Sequence, residues 1–122
     1  QDSAGITALM MAAANGHEQV AEMLLRHGAR INLQDRKHGV TALMAAAANG
    51  HERVAEMLLR HGAEINLQDS AGITALMMAA ANGHEQVAEM LIQHGAEINL
   101  QSSNGVTALM LAARSGHERV VD

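Results

Sequence analysis

GVTALMAAAANGHERVAEMLLRHGAEINLQ, residues 39–68, decides the fold, because the chain repeats it almost letter for letter. The phrase opens at Gly5 as GITALMMAAANGHEQVAEMLLRHGARINLQ and at Gly72 as GITALMMAAANGHEQVAEMLIQHGAEINLQ. It begins again at Gly105 as GVTALMLAARSGHERVVD. The four glycines are spaced by 34, 33 and 33 residues, which places one extra residue within 35–39. Self-similarity at this period marks stacked-repeat architectures, in which each unit buries the apolar face of the next.

One copy reads as two short helices and a turn. In the first, Thr7 precedes the apolar run 8–14 and is placed to cap it, a contribution of about 1 kcal/mol. Gly16 supplies the left-handed residue that ends this helix. The second helix is expected over 18–27, with Val20, Met23 and Leu24 on one face. Glu18 stands at its positive end, and Arg26 and His27 at its negative end. Gly28 stops it, and 29–39 is an extended turn into the next copy. Neither helix reaches the ~12 residues at which isolated helices become marginal in water, so each copy depends on its neighbours.

Composition narrows the function. The 122 residues are 48 % hydrophobic but contain no Phe, Tyr, Trp, Cys or Pro, so the core is aliphatic and includes up to nine adaptable Met. A net charge of −5 argues against a nucleic-acid partner, which requires concentrated Lys and Arg. Without Cys there are neither disulfides nor thiolate metal sites. The longest apolar runs, 8–14 and 42–48, are far short of a membrane span of ~20 residues, so no membrane partner is expected. No signal-peptide pattern opens the chain, which favours a cytoplasmic setting.

The phrase G-x-T-A-L-M-x-A-A-x-x-G-H-x-x-V-A-E-M-L-L-x-x-G-A-x-I-N resembles the ankyrin repeat over essentially the whole chain. The resemblance implies an all-α ankyrin solenoid of helix-turn-helix units with β-turn or hairpin-like connections. The repeats would fall at about 2–34, 35–68, 69–101 and 102–122, the last one truncated. The family usually reads T-P-L-H where this chain reads TALM, at 7–10, 41–44, 74–77 and 107–110. Losing the Pro costs about 0.4–1 kcal/mol per site through the unfolded chain, and burial of the Met should recover part of it.

Eight His residues raise the question of metal or acid–base chemistry. His17, His51, His84 and His117 open the second helices, and His27, His61 and His94 close them. Equivalent positions stand about 10 Å apart along a stack, the ordinary spacing of packed helices. Zinc ligands must converge to about 2.0–2.1 Å from one ion. Capping and hydrogen-bonding roles are therefore expected, with no metal and no cofactor. Ser115 and His117 are neighbours in a turn, but no third group is placed to orient the His, and a catalytic site is singular where these residues recur. The expectation is a non-enzyme.

The resemblance further implies a non-catalytic protein–protein interaction module, binding through the turn tips and the exposed side of the first helices along a concave groove. Those positions are Ser3, Ala4, Ile6, Ala14 and Asn15 in the first copy, and Arg36, Lys37, His38, Val40, Ala48 and Asn49 in the second. They continue with Ser70, Ala71, Ile73, Ala81 and Asn82, and end with Ser103, Asn104, Val106, Arg114 and Ser115. Residues 36–38 form a compact basic cluster in an acidic chain, so a partner using it would be acidic. The alternative is a scaffold without a dedicated target, either engineered to a consensus or structural, as the near-identity of the copies allows. Its terminal copies lack the polar outer faces of capping repeats, which predicts end-to-end self-association.

Overall fold

The computed structural model describes residues 2–116, with side chains over 8–114 and Gly116. Seven helices follow one another: α1 (Asp2–Ala14), α2 (Glu18–Arg26), α3 (Ala42–Ala48), α4 (Glu52–Arg60), α5 (Ala75–Ala81), α6 (Glu85–Gln93) and α7 (Ala108–Ser115). No strand occurs among the described residues. The odd-numbered helices stack side by side as an inner row, and α2, α4 and α6 form an outer row packed on α1, α3 and α5.

The inner row packs more extensively than the outer. Its contact positions are Ala12, Ala13, Ala46, Ala47, Ala79, Ala80 and Ala112, all buried, and such small residues let helix backbones approach closely. The remaining space is filled by Leu43, Met44, Val54, Met57, Leu58, Met77 and Leu91, which are almost wholly enclosed. Each large side chain buried this way stabilises the stack by roughly 1.5–3 kcal/mol.

Thr41, Thr74 and Thr107 cap α3, α5 and α7, accepting from Met44 N, Met77 N and Met110 N at 3.2, 3.2 and 3.3 Å. Met44 also takes part in its cap, because its Sδ accepts from Thr41 N at 3.4 Å. A thioether is a weak acceptor, but it occupies the place of the reciprocal bond in a capping box. Met44 thus restores in part, by sulfur and by burial, what the missing His would supply, and Met77 does so by burial alone.

The first copy departs from expectation. α1 starts at Asp2, so Thr7 lies inside a helix and does not begin one, and residues 3–6 are helical instead of forming a turn tip. Elsewhere this segment is held open by a neighbouring turn. Ser70 N donates to His38 O, and Ser103 N to Ala71 O, each at 2.9 Å. In the first copy helical bonds satisfy the backbone locally instead.

Polar side chains tie successive copies together. Asn32 Oδ1 accepts from Glu64 N at 2.7 Å, and Asn66 Oδ1 from Glu97 N at 2.8 Å. Gln34 Nε2 donates to Gln68 O at 2.8 Å as well as to Gly39 O, and Gln68 Nε2 repeats this towards Gln101 O and Gly72 O. His51 and His84 donate from Nε2 to Ala14 O and Ala48 O, at 2.9 and 3.0 Å. A carbonyl only accepts, so the bonded ring nitrogen carries the proton. Each such bond is worth about 1 kcal/mol, and together they set the register between copies.

Candidate interaction groove

Three turns line one side of the inner row. In the second and third copies an aspartate organises the turn. Asp35 Oδ1 accepts from Val40 N at 2.7 Å and His38 N at 3.3 Å. Asp69 Oδ1 accepts from Ala71 N and Ile73 N, both at 2.9 Å. In the fourth copy Ser102 Oγ takes the same role towards Asn104 N and Val106 N, at 3.2 Å. The extra residue of the second copy is absorbed here. Gly39 N bonds Asp35 O four residues back, whereas Gly72 N and Gly105 N bond Asp69 O and Ser102 O three residues back. A wider turn results, with Arg36, Lys37 and His38 exposed on it.

The Val40 N–H, and then the His38 N–H, the His38 side-chain charge and the Lys37 N–H, hold the Asp35 carboxyl below its ordinary value, outweighing its desolvation. A depressed folded-state pKa stabilises the protein fully above the unfolded value, and that stability is lost as pH falls through the folded one. Asp35→Ala should therefore lower the urea midpoint at pH 7, and the gap from the parent should narrow below about pH 4. A gap that stays constant from pH 7 to pH 2.5 would show that the ionised carboxylate adds nothing.

Most positions expected on the binding side are accessible. Asn15, Asn49, Asn82, Ser70, Ala71, Ser103, Asn104 and Arg114 are exposed, while Ala14, Ala48, Ala81 and Val106 are half-buried. Val40 and Ile73 are half-buried against the core and offer only part of their surface. The three Asn amides bind helix carbonyls, Asn15 and Asn49 on their own helices and Asn82 across to Ala48 O. The side chains of Ser3, Ala4, Ile6 and Ser115, and all of His117, lie outside the described residues.

Sequence reasoning missed the middle of this surface. Met11, Ala45, Met78 and Leu111 occupy the same repeat position, one on each inner helix, and none is fully buried. Met11 is 58 % exposed. A hollow of about 310 Å³ opens between Met10, Met11 and Ala14 of α1, Ala45 of α3 and the turn residue Asp35. The signal was present in the chain: this position reads Met, Ala, Met, Leu, while the Leu two residues earlier, buried in the first three copies, never changes.

Five histidines bond the scaffold through their rings. His27, His61 and His94 donate from Nδ1 to Met23 O, Met57 O and Met90 O, closing the outer helices. His51 and His84 sit at N-cap positions, but their rings bond the preceding copy and not their own helix. Among the described residues no three His, Cys, Asp or Glu converge as metal ligands would.

A family profile described as ankyrin repeats (three copies) matches residues 1–69 and 62–122, which together span the chain. Comparison with curated proteins yields no match.

Proposed function

Since the chain belongs to the ankyrin-repeat family, whose members are generally non-catalytic protein–protein interaction modules, we propose that its groove receives a protein partner. The observation that carries this reading is the row Met11, Ala45, Met78 and Leu111, which leaves apolar surface open beside exposed polar turn tips. Side chains on a rigid scaffold of this kind meet a partner without a large ordering cost. The net charge of −5 favours a protein over a nucleic acid. No helix among the described residues is long and apolar enough to cross a membrane.

The test uses binders selected from a displayed protein library. Ala71→Arg and Arg114→Glu alter the groove side, whereas Arg53→Glu and Gln86→Arg alter exposed positions on outer helices. The groove changes should weaken binding at least about tenfold, equivalent to ~1.4 kcal/mol, and the outer changes much less. The reverse ranking would refute the reading.

A second reading, a self-associating scaffold, is favoured by open apolar side chains in the outermost copies. Val20 and Met23 are exposed where Val54, Met57, Val87 and Met90 are buried, and Leu109 and Met110 are likewise exposed. Light scattering should then show mass rising with concentration towards the millimolar range; strict monomers throughout would remove this reading.

A further inference from the structure

Two of the differences that set the second copy apart from the first and third meet at one place. Its inner helix carries Ala45 where α1 and α5 carry Met11 and Met78, and its turn is a residue longer and basic. Ala45 and Asp35 both line the same hollow. Removing a Met side chain from the row leaves room for a large side chain from outside. The Asp35 carboxylate is already engaged by the Val40 and His38 N–H groups, so this acid is compensated within the turn. Arg36 and Lys37, next to Asp35 along the same turn, are exposed and carry positive charge.

Resting on the groove reading, we infer that this hollow is an anchor site for a peptide segment with one large aliphatic or aromatic side chain flanked by Asp or Glu. The apolar group seats on Met10, Met11, Ala14 and Ala45, where burial supplies affinity. The flanking carboxylates pair with exposed Arg36 and Lys37, where pairing is solvent-screened and acts mainly on association rate and choice of partner. Elsewhere an acidic chain repels an acidic segment, which adds discrimination against binding at other places along the groove.

The experiment selects a displayed random-peptide library on the whole chain, then measures the synthesised winners against variants. Winners should share a large apolar residue with neighbouring acids. Ala45→Met fills the hollow with the side chain that two other copies carry at this position, so the fold tolerates it, and thermal unfolding followed by circular dichroism checks this. Binding to that variant should fall at least about tenfold. Arg36→Ser with Lys37→Ser should weaken binding severalfold and flatten its salt dependence. Winners without acids, winners that bind A45M as well as the parent, or no enrichment at all would each overturn the assignment. Winners blocked by Ala71→Arg or Arg114→Glu but indifferent to A45M would leave the groove reading standing and refute only the anchor site.

Discussion

Leu43→Ala should destabilise the protein by about 3 kcal/mol, while Leu109→Ala, the same letter of the repeat, should change stability by less than about 0.5 kcal/mol. Leu43 is 2 % exposed, enclosed by the stack in which α3 touches α1, α4 and α5. Truncating it removes buried methyl groups and leaves a cavity within the packed core. Leu109 is 64 % exposed, and no second helix is described beside α7. Urea unfolding at pH 7 reads both. In a linear array a weakened middle copy also uncouples the two halves, so L43A should lower the slope of the transition as well as its midpoint. Equal losses for the two variants would contradict the packing described for α3 and α7.

Gly50→Ala should cost about 2–4 kcal/mol, well beyond the ~1 kcal/mol expected for Gly62→Ala. Both glycines end helices with φ in the left-handed region, 75° and 96°, so any side chain is strained at either. They differ in surroundings. A Cβ on Gly50 would stand 2.7 Å from His84 Nδ1, 2.9 Å from Cε1 and 3.1 Å from Cγ, whereas nothing lies within 4 Å of one on Gly62. The His84 ring cannot swing away freely, because Nε2 holds Ala48 O in the preceding copy. Relieving the clash therefore breaks a bond between copies. Adding His84→Ala should remove most of the extra loss in G50A, bringing it near that of Gly62→Ala beyond the cost of the single H84A. If the double variant loses the full sum of the two, the ring is not the obstacle.

The side proposed for the groove came from the family resemblance and not from residue types or spacing, and Met11, its most open apolar residue, was passed over. Ala14, Asn15 and their equivalents are legible only as the end of a short helix before Gly. Within one copy Met11 reads as core, because a single apolar letter in an apolar run carries no mark of its direction; only the variation of this position between copies hints at it. The register-setting Asn and Gln residues were also passed over. Asn66 and Gln68 look like ordinary turn residues until the next copy is seen to supply Glu97 N and Gln101 O.

By itself the sequence determined what the second and third copies are: two helices too short to stand alone, stopped by glycine, capped at Thr41 and Thr74, and repeated so that they cover one another. Those properties are local, and near-identical segments share them. Only the tertiary structure decided which instance of a repeated letter is core and which is surface, as Met77 and Met110 show at 1 % and 52 % exposure. It also decided that 2–7 joins a helix, that the extra residue widens one turn, and that Ala45 leaves a hollow beside it. The physical reason is that burial and bonds between copies belong to neighbours, and a side chain's own letter does not state which neighbours it will have.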